Sequence, residues 1–536
     1  MNPRLFSLLR IITFAMFLAV PAAGQPPHTK FASAVAYGSG GPYSYSVAVA
    51  DLRSNGQLDL VVTNYCQIGG QDSCQGTGEV AVLLGNGDGT FQPAVVYSTG
   101  AYFATFVAVG DLNSDGIPDL VVADQCVSYV QNECTGSGVS VLLGNGDGTF
   151  QSAVTYGSGG YPAYSVAVGD LRGNGILDLV VTNAGFECDD PSVGVLLGNG
   201  DGTFQPAVTY DTGGSCAASV AVGDVNGDGI PDLIVANYCY DNCGYRNGLV
   251  GVLLGNGDGT FQPAVTYDSG GEFADSVALG DLRGNGIVDV VVANEWADGT
   301  GGWKHGEVGV LLGNGDGAFQ PAVSYAAHGN GGTGSSDVEP GIGSLAVADV
   351  NGDGIPDVVV VEPCDVVKDH VYCVSSGEVN VFLGNGDGTF QSPITYGSGG
   401  APASALAIAD LNGDGRPDLA VANMCSTSCS NPEGIAGVLL NETYYASKTV
   451  LASSPNPSQV NQTVTFTATI TPGVSNGEVV TFYNGKTEIG TGTTTNGVAT
   501  LSTSFSSAGK FTIKASYPGD AFRKPSSGSV KQVVTQ

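Results

Sequence analysis

The residues of this chain whose types and spacing could do chemistry sit in the nonapeptide DLNSDGIPD, residues 111–119. Asp111, Asn113, Asp115 and Asp119 fall at its positions 1, 3, 5 and 9, and Gly116 at position 6 lets the backbone fold back. Alternate oxygen side chains in a tight turn, completed by the position-7 carbonyl of Ile117, suit a hard cation that takes about six to eight oxygens, as Ca2+ does. A helix-flanked EF-hand would need Glu at position 12. Here position 12 is Val122, and the flanks VAVG and LVVAD read as strands.

The nonapeptide returns at Asp51, Asp170, Asp224, Asp281, Asp349 and Asp410, roughly every sixty residues, and the copies are of two kinds. Those at 111, 224, 349 and 410 read D-x-N-x-D-G-x-P-D. They offer Asp224, Asn226, Asp228, Ile230 and Asp232; Asp349, Asn351, Asp353, Ile355 and Asp357; and Asp410, Asn412, Asp414, Arg416 and Asp418 in the roles just described. The other three carry arginine at position 3 and asparagine at position 5: Asp51, Arg53, Asn55 and Asp59; Asp170, Arg172, Asn174 and Asp178; Asp281, Arg283, Asn285 and Asp289. Counting positions 1, 3, 5 and 9, the side-chain charge goes from −3 to −1. Ligand charge is a main lever on calcium affinity, and a guanidinium can itself bridge carboxylates. The expectation is Ca2+ in four loops and a built-in arginine in three, rising to seven ions if the arginines turn outward. The ion's role reads as structural, because three carboxylates in one turn repel each other without it.

The elements that must position these loops follow from a repeat of this regularity. Each unit runs as a strand such as YSVAVGD, the loop, a strand such as LDLVVTN, a variable segment, a strand ending VLLGNGDGTF, and a strand ending in Tyr. Four short strands without helical periodicity make one propeller blade. Phe and Tyr recur six apart in the last strand, as in Phe91 and Tyr97, and one such pair, Phe31 and Tyr37, stands near the N-terminus with no loop before it. The seventh unit lacks that strand. The counts match when the N-terminal strand completes the last blade, which closes the ring and removes its exposed edges. The GNGDG turns read as hairpin chemistry, since Asn-Gly and Asp-Gly supply positive φ.

The formal charge is −33, and all but three of the 50 acids (Glu478, Glu488, Asp520) precede residue 446. Such acidity argues against nucleic acid or an anionic membrane as partner. The first 24 residues place Arg4 and Arg10 before an apolar run that ends in small residues, which reads as a secretory signal; no later run is long and apolar enough to span a bilayer. The 12 cysteines fit an oxidising compartment, with expected bridges Cys66–Cys74, Cys126–Cys134, Cys188–Cys216, Cys239–Cys243, Cys364–Cys373 and Cys425–Cys429. Zinc is the rival for such short spacings, but no CxxC pair is present.

On these motifs the repeats resemble FG-GAP/VCBS repeats, the unit of integrin α-subunit propellers and of many secreted bacterial proteins. The resemblance implies an all-β, seven-bladed propeller over residues 25–445, calcium in the hairpins between first and second strands, and a role in adhesion or ligand binding. Residues 446–536, with SSPNPSQVNQTVTFTATITP and ASYPGDAFRKPS, resemble the bacterial Ig-like β-sandwiches appended to surface proteins.

Trp296, Trp303, Lys304 and His305 lie in one long loop of the fifth unit, and His328 and His370 in the sixth. Aromatic residues on loops above a rigid ring can hold a sugar or a partner's side chain, although tryptophans can equally pack a loop that no disulfide staples. The reading is a secreted or cell-surface, non-catalytic protein whose partner is a glycan or a surface protein. A polysaccharide lyase, for which Lys304, His305 and His370 are the candidate groups, and a structural spacer are the alternatives.

Overall fold

The computed structural model describes residues 29–66, 68–69, 73–74, 76–130, 133–185, 188, 191–239, 247–296, 306–327, 343–362, 377–426, 433–471, 474 and 476–536. It contains strands and turns and, among the described residues, no helix. Two compact units are present, with Thr29–Thr443 in one and Tyr444–Gln536 in the other.

In the first unit, each repeat forms a four-stranded antiparallel array in chain order, as in Ser44–Ala50, Asp59–Asn64, Glu79–Leu83 and Val95–Ser98. The second strand, Asp59–Asn64, is buried along its whole length. It has to be apolar on both faces because each face meets a neighbouring array, which is why these strands read as unbroken Leu/Val runs rather than alternating ones. The fourth strand lies outermost and is largely exposed, with Val95, Val154, Val208, Val265 and Val323 all more than half open to solvent. Between repeats 4 and 5 the chain does not turn: Val265–Gly280 serves as the last strand of one array and the first of the next.

Seven such arrays are formed among the described residues. In the seventh, the fourth place is taken by Val35–Pro42 from the N-terminal end, antiparallel to Glu433–Leu439 with Val35 opposite Val438 and Tyr37 opposite Ala436. The first strands touch in succession around the unit, and the last, Ala403–Ala409, touches the first, Ser44–Ala50, so the ring is closed.

Two devices hold neighbouring arrays together. Each fourth-strand tyrosine meets, edge to face, the phenylalanine of the next repeat: Tyr37 with Phe91, Tyr97 with Phe150, and so on to Tyr396 with Phe31, at centroid separations of 5.3–5.6 Å and interplanar angles of 78–87°. The Phe and Tyr of one strand therefore serve different joints. The second device is a buried latch. Ser39 Oγ donates to Asn64 Oδ1 at 2.7 Å, while Asn64 Nδ2 donates back to the Ser39 carbonyl. Ser158 with Asn183, Ser269 with Asn294 and Ser398 with Asn423 repeat it.

The second unit packs a three-stranded against a five-stranded sheet around Phe466, Phe482, Ile513 and Tyr517. Its alternating buried and exposed positions, as in Thr463–Thr471, are those of a two-layer sandwich.

Candidate functional site

The nonapeptides form the turns between first and second strands, and their backbone is the same in both kinds. Position 6 is left-handed throughout, with φ from +79° at Gly56 to +85° at Gly354, a conformation glycine adopts without strain. The position-1 carboxylate closes the turn. Asp111 accepts from the N–H groups of Asp115 at 3.0 Å and Gly116 at 2.8 Å. The position-9 carboxylate lies beneath, wholly buried, and Asp119 accepts from Leu112 N at 2.9 Å and from Gly144 N at 2.7 Å.

What stands over that buried carboxylate separates the kinds. In the arginine loops a guanidinium covers it. Arg53 donates to Asp59 through Nη2 at 2.6 Å and Nε at 3.3 Å, and Nη2 also reaches the Gly85 carbonyl at 2.7 Å. Arg172 on Asp178 and Arg283 on Asp289 reproduce all three bonds. In the asparagine loops of repeats 2, 4 and 6 no basic side chain among the described residues covers it. Burial pushes Asp119 and Asp232 up despite their backbone donors, and the position-1 and position-5 carboxylates push the same way. The same causes raise Asp357 to about 7 and Asp418 to about 6. All-oxygen side chains with one carboxylate held unpaired in the floor fit a hard dication. Asp111, Asn113, Asp115, the Ile117 carbonyl and Asp119 would hold it, as would their counterparts, and the ion would supply charge neutralisation and stiffness.

The GNGDG turns next to these loops keep positive φ at their second and third glycines, +81° at Gly87 and Gly89, and Asp88 caps the turn by accepting from Thr90 N and Oγ1. That is hairpin chemistry.

Disulfides join Cys126 to Cys134 and Cys188 to Cys216. Cys66, Cys239 and Cys425 are disulfide-bonded as well, with their expected partners Cys74, Cys243 and Cys429 not among the described side chains. Cys364 and Cys373 lie outside the described residues. So do Trp303, Lys304, His305, His328 and His370; Trp296 is described by its backbone alone, paired opposite Glu272.

The structure brings together a set that sequence reasoning passed over, at the end of the ring opposite the loops. Tyr65, Gln125, Tyr238 and Glu295 each directly follow the latch residue of a second strand, and Tyr45, Tyr164 and Asp275 hold matching places on the first, innermost strands. Tyr45, Tyr65 and Phe103 stack with centroids 4.9 and 5.0 Å apart. Tyr65 donates to Gln125 Oε1 at 3.0 Å, and Tyr238 to Glu295 Oε2 at 2.6 Å, with Phe273 against the Tyr238 ring. Crowding by the surrounding walls, then the nearby Glu295, raises Asp275 to about 8, although part of its surface stays open. Burial likewise raises Glu295, Tyr238, Tyr45 and Tyr164, so the phenols remain donors at neutral pH. Asp275 acts electrostatically on both Tyr164 and Tyr238, so groups from repeats 3, 4 and 5 are neighbours at this end of the innermost strands. A signal existed: the residue after the second-strand run (VVTN, VVAD, IVAN, VVAN, VVVE or AVAN) varies among Tyr, Gln, Ala, Glu, Pro and Met while the run itself changes little.

This architecture defines a repeat-built ring of β-arrays with acidic hairpins and a separate sandwich. Comparison with known families gives the class its particular form. An FG-GAP-like repeat model matches residues 72–122, 127–181, 184–235 and 368–421, an FG-GAP repeat matches 342–363, and a bacterial Ig-like domain (group 3) matches 451–535. The chain thus carries FG-GAP-like repeats and a C-terminal bacterial Ig-like domain.

Among curated proteins, it is 32% identical over 231 residues to integrin alpha pat-2 of Caenorhabditis elegans, covering 38% of this chain and 18% of that one. To integrin alpha-V of Gallus gallus it is 29% identical over 212 residues, covering 37% and 20%. It therefore spans about a fifth of the length of these relatives. Solved structures that align with it include the Dos1 propeller (TM-score 0.43, 11% identity, 76% of this chain and 95% of that one). The Vibrio cholerae biofilm matrix protein Bap1 aligns at 0.39 and 13%, covering 76% and 90%, and the exotype rhamnogalacturonan lyase YesX at 0.42 and 13%, covering 76% and 75%.

Proposed function

We propose that this chain is an extracellular, non-catalytic ligand-binding protein of the adhesion type. Its ring is stiffened by Ca2+ in the loops at Asp111, Asp224, Asp349 and Asp410 and by arginine in the loops at Asp51, Asp170 and Asp281. The observation that carries the ligand-binding reading is the cluster at the end of the innermost strands opposite the loops: Tyr45, Tyr65, Phe103 and Tyr238 present partly exposed aromatic surface there, beside Asp275 and Glu295. Aromatic faces bury area at small entropic cost, and carboxylates beside them bind either sugar hydroxyls or a basic side chain. The partner is a glycan or a protein on a neighbouring surface. Disulfides and the integrin relatives support an extracellular setting.

The test is binding of the purified chain to a polysaccharide panel and to surface-protein extracts, with and without EDTA, while each bound sugar is assayed for cleavage. Saturable binding that falls at least tenfold in Tyr45→Ala and Glu295→Gln supports the reading and locates the site. Cleavage of a bound polysaccharide would replace it with the lyase alternative, and no ligand at all would leave the spacer.

A further inference from the structure

Loop 7 departs from the other three asparagine loops at one position. Position 7 is Ile117, Ile230 and Ile355 in those and Arg416 here. Only the carbonyl of that residue belongs to the cation-binding pattern, so its side chain is free for other work. In repeats 2, 4 and 6 the isoleucine packs beneath the neighbouring GNGDG turn, where a Cβ on Gly144, Gly255 or Gly384 would come within 2.9 Å of it. Repeat 7 has no such turn; the sequence there is NETYY, beginning at Asn441. Into the space goes the Arg416 side chain, 6% exposed, which folds back onto its own loop.

It makes two contacts that matter. One is an ion pair with Asp414, the position-5 carboxylate of loop 7. The other runs from Nε to the Asn441 carbonyl at 2.7 Å. Asn441 is in turn bonded to loop 7, to loop 6 and to the N-terminal segment. Its N–H donates to Asp418, position 9 of the loop, at 2.6 Å, and its Nδ2 donates to the Val350 carbonyl in loop 6 at 2.7 Å. Phe31 of the N-terminal segment bridges to it, and the flanking Leu440 and Glu442 bond to Ala32 and Lys30 at 2.8 and 2.7 Å.

We propose that loop 7 is a calcium site of a different kind from loops 2, 4 and 6: the ion must displace Arg416 from Asp414 to enter, so the site is weaker, and its occupancy is relayed through Asn441 to the seam where the N-terminal strand closes the ring. The inference rests on the calcium reading of the asparagine loops. Its physical basis is competition. Arg416 neutralises one of three loop carboxylates before any metal arrives, and freeing a buried guanidinium leaves it to find another partner. Arg53, Arg172 and Arg283 reach the loop from position 3 instead, with the guanidinium on the wholly buried position-9 carboxylate and asparagine at position 5. The loops thus grade from tight (2, 4, 6) through self-competed (7) to arginine-locked (1, 3, 5).

The experiment is calcium titration of the metal-stripped full chain by calorimetry, with hydrogen exchange followed at residues 31–42 and 433–443. Three tight sites and one at least tenfold weaker are expected, with protection of the seam rising only as the weak site fills. Arg416→Ile should bring that site up to the other three and move seam protection into the tight range. Asp414→Asn should abolish the weak step and leave three. Four equal sites in the unmodified chain, or a weak step untouched by both substitutions, would overturn the inference while leaving the calcium reading intact. Absence of any calcium binding would sink the calcium reading itself, and seven sites would sink the arginine lock.

Discussion

At the scale of single residues, the repeats are most informative where they break their own rule. Asn is the latch residue in repeats 1, 3, 4, 5 and 7, but repeat 2 has Asp124, which accepts from Thr99 at 2.9 Å and Ser140 at 2.6 Å and, among the described residues, meets no cation. Burial raises its pKa to about 7, from an ordinary 3.8. The sign follows directly. Between those values the folded chain holds a proton that the unfolded chain releases, so stability falls as pH rises through this window and levels off above about pH 7. Asp124→Asn should remove that dependence and stabilise the protein at pH 8 by on the order of 2–4 kcal/mol, since one pKa unit is about 1.4 kcal/mol. Urea midpoints from pH 4 to 8 would test it, and an unchanged slope would refute it. The opposite change, Arg283→Ala, strips the cover from a carboxylate with no exposed surface. A loss of about 3 kcal/mol is expected, read as a lower thermal midpoint at neutral pH.

At the scale of elements, the strand that matters most is the one farthest from its array in sequence. Val35–Pro42 supplies the fourth place of the last repeat, and Phe31 just before it receives the edge of Tyr396. Removing residues 29–42 would expose the edge of Glu433–Leu439 and break the ring where it closes. The truncated chain should aggregate or dimerise by edge pairing, seen as a shift in light scattering, whereas Tyr97→Ala, at an internal joint, should cost about 1 kcal/mol from the lost ring contact plus the burial lost with it. The strands themselves were legible because their apolar runs and the Gly-rich turns between them repeat seven times. The joints were not. A six-residue Phe/Tyr spacing says that two rings share a face, but that they serve two different neighbours depends on how one array tilts against the next.

At the scale of the whole molecule, the proposed division of the hairpins into calcium-binding and arginine-covered kinds predicts that chelation softens the ring rather than unfolding it completely. EDTA is expected to lower the thermal midpoint by several degrees and to increase exchange first in loops 2, 4, 6 and 7, with loops 1, 3 and 5 still protected; uniform loss across all seven would contradict the division. The sequence by itself determined the repeat, the class of fold and the closing strand, because each depends on residue type at fixed short spacing, which local backbone geometry translates directly. Only the tertiary structure decided where Arg53, Arg172, Arg283 and Arg416 direct their charge, and that Tyr45, Tyr164, Tyr238, Asp275 and Glu295 gather at one end of the innermost strands. Those residues are up to 250 positions apart. Their meeting is set by closure of the ring around its axis, a distance constraint that no local pattern of residues encodes.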